Sequence, residues 1–307
     1  MEYRRLGQTG LTVSVLGLGA SALGNMFRPV SDREAAEVVR TAFDLGITYF
    51  DVSPYYGLGL AEARLGSALA ALPREQVVVS TKAGRYGADQ FDFSRARILA
   101  SIQASLRALG TDYLDIAFLH DIEFGDPDEV LHEGWAALQD ARTAGLVRFA
   151  GASGLPLAVL DGFVAAAKPD VILSYCHYCL NDNSLEDLSS RWTAGELGLV
   201  NASPLAMGLL TNAGPPDWHP APPALRAAAK QAAAYARSRE ADIAGLALKF
   251  ATGHPRVATT LVSTASVTHL ASDVRTVGEP LNHQLLAAVQ QILAPVHNIT
   301  WPSGRAP

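Results

Sequence analysis

Ser31-Asp32-Arg33-Glu34-Ala35-Ala36-Glu37-Val38-Val39-Arg40-Thr41-Ala42-Phe43-Asp44-Leu45-Gly46-Ile47-Thr48-Tyr49-Phe50-Asp51 contains one helix followed at once by one strand. Ser31 and Glu34 have the spacing of a capping box, in which each side chain satisfies a backbone N–H of the other residue. Ala35, Val38, Val39, Ala42 and Phe43 then recur at i, i+3, i+4, i+7 and i+8, so one apolar stripe faces a partner layer. Gly46 ends the helix. Ile47 to Phe50 is a short apolar run, the pattern of a parallel strand buried on both faces.

The same unit recurs in both directions. Val13–Leu18, Val77–Ser80, Tyr113–Leu119, Val147–Gly151, Val171–Leu173, Leu199–Ala202 and Val257–Val262 read as further strands, which makes eight with Ile47–Phe50. Ser94 precedes a helix carrying Ile98, Ile102, Leu106 and Leu109, closed by Gly110, and Ser266 opens another with Leu270, Val274 and Val277. Eight strand-then-helix units predict an α/β fold, a single (β/α)₈ TIM barrel over 1–307 with a C-terminal helix and loop. A doubly wound sheet is the alternative. Glu2–Thr12, with Gln8-Thr9-Gly10 between short extended pieces, reads as an N-terminal hairpin closing the barrel bottom.

Composition narrows the function. The 307 residues carry 30 Asp and Glu against 24 Lys and Arg, a net charge of -6, and 49% are hydrophobic. Such a chain buries a large core and is not disordered. The acidic balance argues against nucleic acid as a partner. No run approaches the roughly 18 apolar residues of a membrane helix, and no secretory signal is visible, so a cytoplasmic setting is expected. Nothing in the charge decides the oligomeric state.

Three motifs mislead. Gly17-Leu18-Gly19-Ala20-Ser21-Ala22 matches a dinucleotide fingerprint, but Gly24 and Pro29 interrupt the helix that this motif requires. A tight turn at the barrel mouth is the better reading. Cys176-His177-Tyr178-Cys179 closes an apolar strand rather than opening a helix, so it is read as structural, with no metal site. The sequons at Asn201 and Asn298 are read as chance.

Barrel enzymes place their chemistry at the C-terminal ends of strands. There the sequence has Asp51 followed by Tyr55-Tyr56-Gly57, then Lys82, His120-Asp121, and Ser153-Gly154. A buried Lys or Asp is costly alone, so Lys82 and Asp51 are expected to pair. The ammonium favours a phenolate, so Tyr56 is expected to have a lowered pKa and to act as acid and base. His120 is expected to hold the reacting oxygen.

Arg5-Leu6-Gly7, Gly46-Ile47-Thr48-Tyr49-Phe50-Asp51 with Tyr56-Gly57, Thr81-Lys82, Leu109-Gly110-Thr111-Asp112-Tyr113-Leu114-Asp115, Leu119-His120 and Ala202-Ser203-Pro204-Leu205 occur in order along nearly the whole chain. In these motifs the chain resembles the aldo-keto reductase family. The resemblance implies a barrel that binds nicotinamide cofactor without a Rossmann domain, and the catalytic tetrad Asp51, Tyr56, Lys82 and His120. A narrower set, including His120-Asp121-Ile122-Glu123-Phe124-Gly125, Trp218-His219-Pro220-Ala221 and Trp301-Pro302-Ser303-Gly304, is similar to the L-galactose dehydrogenase branch. That branch and its relatives acting on L-fucose oxidise C1 of an aldose to the lactone with NAD. On this likeness Asp121, Phe124, Trp218, His219 and Trp301 are candidate sugar contacts.

The resemblance also implies a cofactor site at Ser153, Tyr175, Ser203, Leu205, Ser263, Thr264, Ser266, His269 and Asp273. Where NADP-preferring members carry Lys and Arg after the eighth strand, this chain has Ser263 and His269, which predicts NAD, with NADP less favoured. The usual Asn beside Ser153 is Gly154, the usual Gln falls near Tyr175, and the usual stacking Tyr falls at Ala202. Two other readings compete: an NADPH-dependent aldehyde reductase, and a non-catalytic nicotinamide-binding regulatory subunit.

Overall fold

The computed structural model describes residues 1–193 and 197–305. Eight parallel strands close on themselves: β3 (Leu16–Gly19), β4 (Tyr49–Asp51), β5 (Val78–Ala83), β6 (Leu114–Leu119), β7 (Val147–Gly154), β8 (Val171–Tyr175), β9 (Gly198–Ala202) and β10 (Thr259–Val262). The ring is sealed where Thr260 and Val262 of β10 pair with Leu16 and Leu18 of β3. Helices pack outside, among them Asp32–Asp44, Leu60–Leu69, Arg95–Leu109 and Val267–Val277. The fold is the (β/α)₈ barrel that the sequence predicts.

The first expected strand, Val13–Leu18, is in fact two. Strands β1 (Tyr3–Arg5) and β2 (Thr12–Ser14) form the antiparallel hairpin, and β3 starts only at Leu16. The break lies where the Ser14 side chain captures its own chain: its Oγ donates to the Leu16 carbonyl at 2.7 Å and accepts from Thr48 N at 2.9 Å. The hairpin then plugs the barrel bottom. Leu6, Leu11 and Val13 pack with Tyr49, Phe118, Val200 and Leu261 in one buried cluster.

Other strands run past their apolar stretch. β5 continues through Thr81, Lys82 and Ala83, β7 through Ser153 and Gly154, and β8 through Ser174 and Tyr175. These polar residues remain in the ladder because the barrel encloses them. The helix caps follow the sequence. Ser31 and Glu34 form the reciprocal capping box, and Ser266 accepts from His269 N. The fingerprint decoy is a strand end followed by a short 3₁₀ turn, Ala20–Gly24, with no helix until Asp32.

The long Ser203–Pro223 connection packs against its surroundings. Ala206, Leu209, Leu210 and Ala221 are buried with helix Pro223–Ser238 and Trp301. His219 holds this loop together. Its Nδ1 accepts from Ala221 N at 3.0 Å, so Nε2 carries the proton and donates to the Ala206 carbonyl at 2.9 Å. Trp301 meets its ring edge-on at a centroid distance of 4.9 Å. Just beyond, Ser303 Oγ donates to Glu123 Oε1 at 2.8 Å, and Arg305 N donates to the Glu123 carbonyl at 3.2 Å. The C-terminal segment is thereby fastened to the loop after β6.

Trp301→Ala empties a packed site under this loop. Urea denaturation is expected to show a stability loss of about 3 kcal/mol, the usual cost of removing a buried large aromatic.

Candidate active site

Asp51, at the end of β4, and Lys82, on the adjacent β5, form a buried ion pair. Ser80 Oγ donates to the other carboxylate oxygen of Asp51 at 2.7 Å, and Lys82 Nζ also donates to the Val52 carbonyl at 3.0 Å. The strand itself is braced from outside: Thr81 Oγ1 donates to the buried Glu62 carboxylate at 2.7 Å, tying helix Leu60–Leu69 to the residue before Lys82. The ammonium reaches Tyr56 at an Nζ–OH distance of 3.4 Å.

Tyr56 is held by backbone packing. Gly57 has φ +66°, and a Cβ there would lie 2.3 Å from the Gly24 carbonyl oxygen; a Cβ on Gly24 would lie 2.6 Å from the Tyr56 carbonyl. Only two glycines let these segments meet.

His120 follows β6 and is buried. Its Nδ1 lies 3.0 Å from Ser53 Oγ, and Ser53 Oγ accepts from Tyr55 N at 3.1 Å. Among the described residues Nδ1 is the only acceptor in reach of this buried hydroxyl's proton, so the serine donates to Nδ1. That leaves the imidazole proton on Nε2, a donor on the ring's far side from Ser53. Burial, aided by the Lys82 and Arg85 cations, pulls the imidazole down to about 3 against the opposing pull of Asp121, so His120 is neutral in ordinary buffers.

The expected lowering of the Tyr56 pKa is reversed. Burial pushes the phenol above its usual value near 10, and the Asp51 and Asp121 carboxylates add to this. Lys82 pulls it down without overcoming them. Burial lowers Lys82 as well, but Asp51 and Tyr56 together raise it above its usual value, so it remains an ammonium. Tyr56 therefore presents a neutral phenol to the cleft, beside a fixed cation.

A cleft of about 1120 Å³ opens at this end of the barrel. It takes in Asp51, Tyr56, Lys82 and His120, and of the residues expected from the sequence also Asp121, Ser153, Tyr175, Ser203, Leu205, Trp218, Ser263 and Asp273. A second hollow shares Ser263 with it and adds Thr264, Ser266 and His269 at the start of helix Val267–Val277. Three expected sugar contacts lie elsewhere. Phe124 stacks on Phe91 at 4.4 Å, and His219 and Trp301 are spent on the loop packing described above. Cys176 and Cys179 are buried free thiols, and burial raises the Cys176 pKa to about 12.

Several lining residues have no motif to announce them. Arg85, three residues after Lys82, pairs with Asp121 at 2.6 Å and lies over the Tyr55 ring at 4.1 Å. Arg28 lines the second hollow and is held by Glu34 at 3.1 Å and the Ala265 carbonyl at 3.2 Å. Met26 and Phe27 form part of the rim. A loop arginine reads as solvated until the barrel places a carboxylate opposite.

The model of the aldo/keto reductase family matches residues 15–294. The chain belongs to that family. It is 46% identical to the L-galactose dehydrogenase of Arabidopsis thaliana, over 99% of this chain and 98% of that enzyme. It is 36% identical to a D-threo-aldose 1-dehydrogenase of a Pseudomonas species, over 67% of this chain and 70% of that enzyme. A holo aldo-keto reductase of Bacillus halodurans superposes with a TM-score of 0.81, covering all of both chains at 24% identity.

The residues present suit the nicotinamide dinucleotide that this family uses. The two hollows together make a trough from the tetrad to a helix start, where backbone N–H groups favour phosphate. At the tetrad end Ala202 and Tyr175 line the cleft. Among the described residues, no helix is long and apolar enough to cross a membrane.

A folded-state pKa of about 3 against an unfolded value of 6.5 means that the unfolded chain binds the His120 proton first. The resulting stability is present above pH 6.5 and is lost as pH falls toward 3, by about 3 kcal/mol at pH 4. NMR titration is expected to show His120 neutral throughout pH 8 to 4, and His120→Gln is expected to remove this part of the acid sensitivity.

Proposed function

We propose that the protein is an NAD-dependent aldose 1-dehydrogenase that oxidises C1 of L-galactose, or of a related sugar such as L-fucose, to the aldonolactone. The observation that carries the reading is the tetrad itself: a phenol 3.4 Å from a buried, carboxylate-paired ammonium, in the cleft at the end of the barrel. The names of the two relatives above, both aldose dehydrogenases, support the choice of sugar.

Bound nicotinamide supplies the hydride acceptor. The chain's own part is proton handling and orientation. His120 Nε2–H holds the anomeric oxygen toward Tyr56. Tyr56, as phenolate, takes the hydroxyl proton as C1 loses hydride, and the Lys82 ammonium stabilises the phenolate in that step. Asp51 and Ser80 keep Lys82 charged and fixed. Because the resting phenol has a raised pKa, oxidation is favoured at alkaline pH, and Tyr56 serves as proton donor in the reverse direction at neutral pH.

NAD is favoured over NADP because the adenosine end offers little to a 2′-phosphate. The Ser263 hydroxyl is taken by Ser21 at 2.8 Å and Ala22 N at 3.0 Å, and Arg28 is already paired with Glu34. This also weighs against an NADPH-dependent aldehyde reductase. The intact tetrad weighs against a purely regulatory subunit.

The assay is reduction of NAD and of NADP by the purified protein with L-galactose, L-fucose, D-arabinose and D-galactose. NAD is expected to exceed NADP in kcat/KM by at least about tenfold, the worth of one charge-assisted contact. The rate is expected to climb from pH 7 to 9. Tyr56→Phe is expected to lose turnover by at least about 10²-fold while keeping cofactor binding. Unchanged turnover in that variant, or silence on every aldose, would refute the reading.

A further inference from the structure

We infer that Asp121, held by Arg85, reads the hydroxyl on the carbon next to the reacting one, so that the enzyme selects for a 2-hydroxy aldose. The inference rests on the dehydrogenase reading above.

The argument begins with backbone. Asp121 has φ +52°, a left-handed conformation that a β-carbon resists and that Asp and Asn tolerate best. This turn, directly after His120, places the carboxylate on the cleft wall. Its Oδ2 lies 3.6 Å from His120 Nε2. The atom that donates to the reacting oxygen and the carboxylate are thus neighbours. The ring oxygen, bonded to C1, has no proton to offer, whereas the oxygen on the neighbouring C2 is a hydroxyl. A carboxylate needs a donor, so the group it can hold is the hydroxyl on C2.

Arg85 is the positioning partner. Its Nη1 contacts Asp121 Oδ2 at 2.6 Å, and its guanidinium lies over Tyr55, with Phe91 at 5.2 Å and Phe124 at 5.8 Å. Three neighbouring rings restrict the arginine, and the arginine fixes and neutralises the carboxylate. A planar guanidinium beside a carboxylate presents both donors and an acceptor to a polyol, which suits sugar hydroxyls better than an aldehyde with an apolar chain. Phe124 thus bears on the sugar only through Arg85.

The test compares L-galactose with 2-deoxy-L-galactose, using NAD, in the wild type, Asp121→Asn and Arg85→Met. Asn accepts the left-handed backbone, so the fold tolerates the first variant. Wild type is expected to favour the 2-hydroxy sugar by about a hundredfold in kcat/KM, since a site built for a hydroxyl rejects the analogue lacking it. In Asp121→Asn that ratio is expected to fall to within about threefold, whatever the absolute rates. Arg85→Met is expected to shrink it through a raised KM for L-galactose. A merely structural role would lower both sugars equally and leave the ratio intact, which overturns the inference. So does equal use of the two sugars by wild type, with the dehydrogenase reading left standing. No turnover of either sugar or of any other aldose overturns that reading and this inference with it.

Discussion

A lysine and an aspartate with almost no exposure to water face each other across two adjacent strands, and the site is arranged around them. A buried ion pair contributes little net stability, because desolvation offsets attraction. Removing one partner, however, strands the other charge at a cost of about 3–5 kcal/mol. The surrounding groups follow from that asymmetry. Ser80 satisfies Asp51, the Val52 carbonyl satisfies Lys82, and Glu62 anchors Thr81 between them. The closed ring of strands supplies the rigidity: Asp51 and Ser80 have ladder partners on both sides, and Lys82 is paired with Phe118 of β6.

What such a pair can do depends on the third group. The cation does not by itself make Tyr56 an easily ionised phenol, because the same burial that sharpens the electrostatics also penalises the phenolate. The site is biased toward protonated tyrosine and neutral histidine. It is thus set to donate at neutral pH and needs a deprotonating step before it can accept. A neutral His120 with its proton on Nε2 adds a hydrogen bond without adding charge, which leaves Lys82 as the main source of positive potential at the phenol.

Much of this was legible in the sequence. The apolar runs gave eight strand-then-helix units, which fit a barrel or a doubly wound sheet, and the pairing of β10 with β3 decides for the barrel. Asp51, Tyr56, Lys82 and His120 stood out because polar residues at the ends of such runs need a reason to be there. The strand ends themselves were misjudged at Lys82, Ser153 and Tyr175, since hydrophobicity stops where the site begins while the ladder goes on. Ser53, Arg85 and Arg28 carried no signal: each is ordinary for a loop until the fold supplies a ring nitrogen, a carboxylate or a hollow beside it. The sign of the Tyr56 shift depended on burial, and Phe124, His219 and Trp301 on which way a loop turned. Neither is written in residue type.

The fastening of Ser303 and Arg305 onto Glu123 links the loop that carries Asp121 to chain 180 residues further on. Burial and the nearby Asp121 charge raise the Glu123 carboxyl above its usual range, which favours the protonated form of the group that this latch holds. In topological terms the latch closes a loop of chain that the barrel's ladder does not close: the ring is sealed between β10 and β3, and the Asp121 loop is tied separately, to chain beyond β10.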